Sequence, residues 1–121
     1  MILVDTSVWI RHFRNTERTL FELLDDNAVL THPIVIGELA CGNLPRRPEI
    51  LGTLLEMPTS PRASDEEALA FIERHRLMGL GIGYNDVHLL ASALLAGDTR
   101  VWTVDARLQR AAARLFVSYN P

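Results

Sequence analysis

Two aspartates stand directly after short apolar runs that predict buried strands. Asp5 follows residues 2–4, and Asp105 follows residues 101–104. The carboxyl ends of parallel strands meet at one edge of a sheet, and the ligands of α/β proteins bind beyond that edge. Each aspartate alone could also be the N-cap of the helix that follows it. The pair therefore marks an edge at which the chain either binds a ligand or only caps two helices.

Two more acidic residues lie on predicted helices among apolar neighbours. Glu38 has mostly apolar residues three and four positions away, and Asp86 shares a helix face with two leucines and an alanine. Because an unpaired Glu is almost never buried, Glu38 is expected to need a cation, a proton or a cluster of donors. Asp86 could instead be a favourable charge in the first helical turn, beside Asn85 as the cap.

These four acids converge on one crevice if the strands at 2–4 and 101–104 are neighbours, and no basic residue is fixed among them. Carboxylates so close repel one another unless their pKa values rise or a divalent cation binds. Oxygen ligands favour Mg²⁺ or Mn²⁺, whereas the single Cys41 and the four His residues lack the spacing of zinc ligands. A carboxylate cluster holding Mg²⁺ is a recurring means of cutting phosphodiester bonds with a metal-activated water.

The basic residues narrow the chemistry further, because all 12 are arginines and the chain has no lysine. A Schiff-base enzyme and a phosphate loop ending in Gly-Lys-Ser/Thr are therefore excluded. The net charge of −3 means that any partner rich in phosphate must be held locally. Two sets of arginines at i, i+3 and i+7 could contact phosphates or form solvated helix faces. They are Arg11, Arg14 and Arg18, and Arg107, Arg110 and Arg114.

Apolar runs and helical periodicity alternate along the 121 residues, which predicts an α/β fold with three layers and a mainly parallel central sheet, in one domain spanning 1–121. A Ser64 capping box predicts one of the helix starts, and the prolines at 58 and 61 allow only an irregular edge strand at 57–63. Strands are predicted at 2–4, 28–31, 101–104 and 115–117, and helices at 7–14, 16–26, 33–41, 50–55, 64–77, 85–96 and 106–114.

The sequence also gives expectations about where the protein resides. Its single cysteine suits a reducing compartment, its first residues carry no basic leader, and no apolar run reaches the roughly 18–20 residues that a membrane span needs. We therefore expect a soluble, cytoplasmic protein with no membrane segment.

Four short motifs, in this order and spacing, resemble those of PIN-domain nucleases, and more narrowly those of the VapC toxins of bacterial toxin–antitoxin pairs. The resemblance covers the chain from end to end. The motifs are Asp5-Thr6-Ser7-Val8-Trp9-Ile10, Ile36-Gly37-Glu38-Leu39, Ile82-Gly83-Tyr84-Asn85-Asp86 leading into Leu89-Leu90-Ala91-Ser92-Ala93, and Trp102-Thr103-Val104-Asp105.

The resemblance implies a Rossmann-like PIN fold and an endoribonuclease activity that depends on Mg²⁺ or Mn²⁺. By position, Asp5 and Asp86 match the principal metal ligands of the family, Glu38 and Asp105 match its remaining acids, and Thr103 matches the hydroxyl residue that supports the site. The resemblance also implies an RNA substrate, a homodimer, and a VapB-type antitoxin whose C-terminal segment lies in the active-site groove.

Other functions stay open at this stage. A stand-alone PIN-type RNA-processing nuclease would carry the same acids, and an acidic-pocket signalling module would also bind Mg²⁺. The missing lysine disfavours the signalling module, and Ser7 disfavours a haloacid-dehalogenase-like phosphatase, which needs a second Asp two residues after Asp5. A protein that only binds a partner would use the acids structurally.

Overall fold

The centre of the fold is a three-stranded parallel sheet, described here from a computed structural model that covers residues 1–121. Its strands are β1 (Ile2–Val4), β2 (Val29–Leu30) and β3 (Arg100–Trp102), in the order β2-β1-β3. Ile2 pairs with Val29 on one side and with Arg100 on the other. Because the three strands run in parallel, their carboxyl ends form one edge, as expected of an α/β fold.

Seven helices connect and cover these strands. Most of them begin or end at the residues that their sequence signals predict. Pro33 occupies the first turn of α3, Ser64 and Glu67 form a reciprocal capping box at the start of α5, and Gly97 follows the last residue of α6. The helices are α1 (Thr6–Arg14), α2 (Arg18–Asp25), α3 (Pro33–Ala40), α4 (Arg47–Glu56), α5 (Asp65–His75), α6 (Tyr84–Ala96) and α7 (Ala106–Arg114). None of them is long and apolar enough to cross a membrane.

The hydrophobic core lies between the sheet and the apolar faces of the helices. Strand β1 is buried along its whole length, as predicted for a strand covered on both faces. Helix α6 contributes seven consecutive buried residues, 87–93, and therefore passes through the middle of the core. Asp86 immediately precedes this buried stretch, so the packing of α6 holds it firmly at the edge of the sheet.

Strand β3 is shorter than predicted, and this changes the position of Asp105. The strand ends at Trp102, whose carbonyl accepts a hydrogen bond from the Asp5 amide at 2.9 Å. Thr103 then leaves the sheet, and its hydroxyl bonds to other groups at the sheet edge. Asp105 therefore stands three residues beyond the strand rather than directly after it.

The predicted last strand at 115–117 is wrong. Phe116 has a left-handed backbone with φ of 60°, and its amide donates to the Ala113 carbonyl to close the end of α7. Only afterwards does the chain return to the sheet, with a single parallel bridge between Val101 and Ser118. The edge segment at 57–63 is likewise reduced to one bridge, between Thr31 and Thr59.

Candidate active site

Asp5 lies at the carboxyl end of β1, and two hydroxyl groups hold its side chain. Asp5 is only 7% exposed, and its Oδ2 accepts hydrogen bonds from Ser7 Oγ and Thr103 Oγ1, both at 2.7 Å. Although Asp5 is the N-cap residue of α1, its side chain makes no capping hydrogen bond. The capping explanation of this carboxylate therefore fails, and its burial serves something else.

Backbone amides orient the two hydroxyl groups. The Val104 amide donates to Ser7 Oγ at 3.2 Å, and the Asp105 amide donates to Thr103 Oγ1 at 3.0 Å. Because an amide can only donate, each hydroxyl accepts on one side and directs its own proton to Asp5. The Asp5 carboxylate is thus fixed as an acceptor with a set orientation.

Asp86 lies in the first turn of α6 and is half-buried. Burial raises the pKa of its carboxyl, the Gly83 amide that donates to Oδ2 at 3.3 Å opposes this rise, and the charges of Asp5, Asp105 and Glu38 add to it. The favourable charge expected at a helix start is therefore present. It is outweighed by desolvation and by the neighbouring acids.

Glu38 differs from its prediction, because it lies on the exposed side of α3 while Val35 and Leu39 point into the core. Its Oε1 accepts a hydrogen bond from Thr6 Oγ1 at 2.7 Å. The argument from burial of an unpaired Glu was therefore wrong. What ties Glu38 to the site is Thr6, the residue directly after Asp5.

Asp105 is exposed and does cap a helix. Its Oδ1 accepts from the amides of Arg107 at 2.8 Å and Leu108 at 3.2 Å, at the start of α7. The capping interpretation is therefore confirmed for Asp105, although both bonds use the same oxygen. The other oxygen, Oδ2, makes no hydrogen bond to the chain and is available to a ligand.

The four carboxylates thus gather at one edge of the sheet, where the charges of the other three raise the pKa of Asp86. No group of three or more His, Cys, Asp or Glu side chains is arranged so that it could hold a metal ion as it stands. Chemically, the arrangement is a cluster of hard oxygen donors with no cation among them. Such a cluster can take a divalent cation if its side chains move together.

The histidines play structural roles away from this cluster. His32 is fully buried, its Nδ1 caps α3 by accepting from the Ile34 amide at 3.0 Å, and its Nε2 lies 3.0 Å from Ser92 Oγ. His88 is buried against Asp65, to which Tyr84 Oη donates at 2.6 Å. The hydrogen bond from Tyr84 lowers the pKa of the Asp65 carboxyl. Cys41 is exposed.

Sequence reasoning missed two residues of the site. Ser7 and Thr6 stand in the first of the four motifs but were not predicted as site residues, yet the Ser7 hydroxyl donates to Asp5 and the Thr6 hydroxyl donates to Glu38. The signal was present in the sequence, since a hydroxyl two residues after an Asp often bonds back to its side chain. Trp9 and Phe13 lie in or against the core, with their rings stacked at 5.8 Å, so both have a packing role.

Known proteins that resemble this chain place it in a family. The PIN domain family model matches residues 2–114. The chain therefore belongs to the PIN-domain family. Within that family it is similar to Ribonuclease VapC32 of Mycobacterium tuberculosis, in strain CDC 1551 / Oshkosh and in strain ATCC 25618 / H37Rv. Each comparison gives 45% identity over 113 residues, covering 93% of this chain and 91% of the relative. The resemblance to VapC-type PIN nucleases is thereby confirmed.

Proposed function

We propose that this protein is an endoribonuclease that uses Mg²⁺ or Mn²⁺, bound by Asp5, Glu38, Asp86 and Asp105, to cleave RNA. The observation that carries the proposal is the Asp5 carboxylate, buried at the sheet edge and oriented by Ser7 and Thr103 without capping its helix. The name of the M. tuberculosis relatives supports RNA as the substrate class.

The donor set fits such a cation. All four candidate ligands offer carboxylate oxygens, which Mg²⁺ and Mn²⁺ prefer, and no sulfur or imidazole ligand stands among them. Glu38 and Asp105 each use one oxygen for a hydrogen bond to the chain and keep the second oxygen free. The half-buried Asp86 is the member that gains most from a cation, because desolvation and like charges oppose its ionisation when no cation is bound.

Asp5, Glu38 and the neighbouring Thr103 have different roles in the proposed cleavage. When bound, the cation would activate a water and offset negative charge on the phosphate. Asp5 provides the fixed ligand, since Ser7 and Thr103 hold it before any cation arrives. Thr103 acts as a positioning residue because it also receives the Asp105 amide and so sets the distance between two of the acids. Glu38, on the exposed side, is free to adjust to cation and substrate.

The test is cleavage of a labelled single-stranded RNA by the purified chain. We expect cleavage with Mg²⁺ or Mn²⁺, none with EDTA, and none from Asp5→Asn. Asp98→Asn is a matched control, because Asp98 is an exposed aspartate just before β3, at the opposite edge of the sheet, and it should cleave as wild type does. Cleavage that survives both EDTA and Asp5→Asn would refute the proposal.

We also propose that the protein is the toxin of a type II toxin–antitoxin pair, with a VapB-type antitoxin as its partner. The relatives' VapC name supports this. An Arg or Lys of the antitoxin that reaches the acidic cluster would remove the same repulsion as a cation does. Expression of the chain should arrest growth, and co-expression of the antitoxin encoded beside it should relieve the arrest. Normal growth during expression of the chain would instead favour a stand-alone RNA-processing nuclease.

The assembly and extent of the protein are parts of the same proposal. We infer a cytoplasmic homodimer, following the resemblance to VapC toxins, which light scattering of the purified chain would test. We also take residues 1–121 as a single domain. Although the family model stops at residue 114, Tyr119 donates its amide to the Val101 carbonyl at 2.9 Å and so joins the last residues to the sheet.

A further inference from the structure

An RNA phosphate that enters the site must approach four carboxylates. The chain has a net charge of −3 and no lysine, so only arginines can attract the phosphate. A cation in the cluster offsets part of the repulsion, but the phosphates on either side of the cleaved bond need positive charge of their own. The arginines that lie beside the cluster and are not already engaged are therefore informative.

Half of the arginines are engaged within the protein. Arg11 pairs with Glu17, Arg18 with Glu22, and Arg46 with Glu49. Three more donate to backbone carbonyls, namely Arg47, Arg100 and Arg114. The arginines with neither an ion pair nor a side-chain hydrogen bond are Arg14, Arg62, Arg74, Arg76, Arg107 and Arg110. Of the two arginine sets in the sequence, the first is therefore largely paired with acids, through Arg11 and Arg18, whereas Arg107 and Arg110 of the second are unpaired.

Arg107 is the member of this group that lies at the start of α7, two residues after Asp105. Its backbone amide donates a hydrogen bond to Asp105 Oδ1, and its exposed side chain lies across the backbone of Gly81. A Cβ atom at position 81 would lie only 2.7 Å from Arg107 Cδ, 3.1 Å from Nε and 3.4 Å from Cζ. A side chain at position 81 would therefore displace the end of the Arg107 side chain, and the φ of +79° at Gly81 favours glycine as well.

Gly81 belongs to the loop 79–83, and the last residue of this loop, Gly83, donates its amide to Asp86. The Arg107 side chain therefore extends from the helix start at Asp105 to the loop that leads into Asp86. It forms no ion pair with either acid. The guanidinium makes no hydrogen bond within the chain, so its donors stay available to a phosphate.

We propose that Arg107 binds a backbone phosphate of the RNA beside the acidic cluster, and that Gly81 allows the Arg107 side chain to take up this position by leaving room for it. This inference rests on the proposed ribonuclease function and adds a substrate-binding residue to it.

The experiment compares pairs of variants in cleavage of a single-stranded RNA at several salt concentrations. Arg107→Ala should lower kcat/KM by about 10- to 100-fold, mainly through KM, as expected when a charge-assisted hydrogen bond is lost. The slope of log kcat/KM against log salt concentration should become shallower by about 0.7, the value of one phosphate contact on a single strand. Arg107→Lys should keep the slope and recover part of the loss. Arg110→Ala, one helical turn further on, should behave as wild type does.

Two glycine variants distinguish the loss of space for the Arg107 side chain from the effect of backbone strain. Gly79→Ala and Gly81→Ala meet similar strain, with φ of +73° and +79°, but a Cβ at position 79 has nothing within 4 Å. Gly81→Ala should therefore reproduce the salt slope of Arg107→Ala, whereas Gly79→Ala should keep the slope of wild type. Thermal unfolding of both variants checks that they are folded to a similar extent.

The outcomes distinguish this inference from the proposed function. If wild type cleaves RNA and Arg107→Ala cleaves with unchanged kcat/KM and salt slope, only the role of Arg107 is overturned. If wild type cleaves with no divalent cation, the proposed function is contradicted. Binding of the labelled RNA, followed by fluorescence anisotropy, then decides on Arg107. Weaker binding by Arg107→Ala and Gly81→Ala would support it, and equal binding or none would overturn it, including the case in which Arg107 contacts only a protein partner.

Discussion

Burial of a carboxylate is unfavourable unless something compensates, and the two central aspartates are compensated very differently. Asp5 has two hydroxyl donors at 2.7 Å, which satisfy the hydrogen-bonding capacity of its buried Oδ2. Asp86 has one longer bond, from the Gly83 amide at 3.3 Å, and three neighbouring acids that raise its pKa. Asp86 is therefore the residue whose energetics change most when a cation is bound.

Asp86→Asn is predicted to leave the melting temperature in EDTA unchanged or to raise it. The charged Asp86 opposes folding above its raised folded-state pKa, because the folded protein holds the proton more tightly than the unfolded chain does. Neutralising it removes this cost at neutral pH. The variant should also gain much less stability from Mg²⁺ than wild type and should lose RNA cleavage. Thermal melts in EDTA and in Mg²⁺ measure both effects.

A purely structural Asp86 would give the opposite pattern. Loss of a favourable charge at a helix start costs about 0.3–1 kcal/mol. The variant would then melt lower in EDTA and respond to Mg²⁺ as wild type does, and Asp86 would be removed from the site.

His32 makes a separate contribution to the dependence of stability on pH. Burial, together with the charges of Arg62 and His88, lowers the pKa of His32 to about 4. Below the unfolded-state pKa of about 6.5, the unfolded chain takes up a proton that the folded protein refuses, so stability is lost as the pH falls from about 6.5 to 4. The loss from this group is on the order of 3 kcal/mol.

His32→Asn tests this contribution, because Asn can cap α3 without titrating. The variant should be less stable at pH 7, since the partner of Ser92 is lost, but its stability should fall less between pH 7 and 4 than that of wild type. Urea unfolding at several pH values measures the two slopes. Equal slopes would show that another group causes the acid sensitivity.

At the scale of elements, the site is built from the turns that join strands to helices. Asp105 illustrates the double use of such a turn, because it caps α7 with Oδ1 and leaves Oδ2 free. A helix cap and a ligand need the same residue for different reasons, and two substitutions can separate them.

We predict that Asp105→Ala lowers the free energy of unfolding by about 0.5–2 kcal/mol, because the cap is lost, whereas Asp105→Asn keeps the cap and changes stability little. Both variants should lose most of the RNA cleavage, since neither has a carboxylate. Chemical denaturation and a cleavage assay on the same preparations measure the two properties. Wild-type cleavage by Asp105→Asn would make Asp105 a cap and nothing more.

Elements with strong local signals could be predicted from the sequence, and those that depend on distant partners could not. The capping box at Ser64 and the apolar run at 2–4 specify their elements locally, and both were predicted. The end of β3 was misplaced, because it depends on the hydrogen bond between Thr103 and Asp5, which lie 98 residues apart in the sequence. The segment 115–117 has strand-like composition, but the helix end at Phe116 overrides it.

The candidate site shows the same division. The position of Asp5 and Asp86 at one edge of the sheet could be predicted, because the carboxyl ends of parallel strands and the helices that follow them share that edge. The exposure of Glu38 could not be foreseen, since residues at helical spacing were assumed to share a buried face, whereas α3 turns Gly37 and Glu38 towards solvent. Burial of His32 depends on contact with Ser92 in a different helix, 60 residues away, and periodicity carries no information about it.

At the scale of the whole molecule, the parallel sheet is what brings the acids together. Strands β1 and β3 are neighbours, so residues after both strands share an edge, and α3 and α6 deliver Glu38 and Asp86 to that edge. The molecule is negatively charged overall, and it concentrates four of its 15 acids in one place. In the proposed function, a bound divalent cation would relieve the repulsion among these acids.

The central claim is that these four carboxylates form a binding site for divalent cations, and the binding of Mn²⁺ tests this claim most directly. Electron paramagnetic resonance measures the concentration of free Mn²⁺ while Mn²⁺ is added to wild type, Asp5→Asn, Asp86→Asn and the control Asp98→Asn. We predict that wild type and Asp98→Asn bind Mn²⁺ alike and that the two site variants bind it at least about 10-fold more weakly, since even groups that only support a ligand have effects of this size. Equal Mn²⁺ affinity of all four proteins would contradict the account.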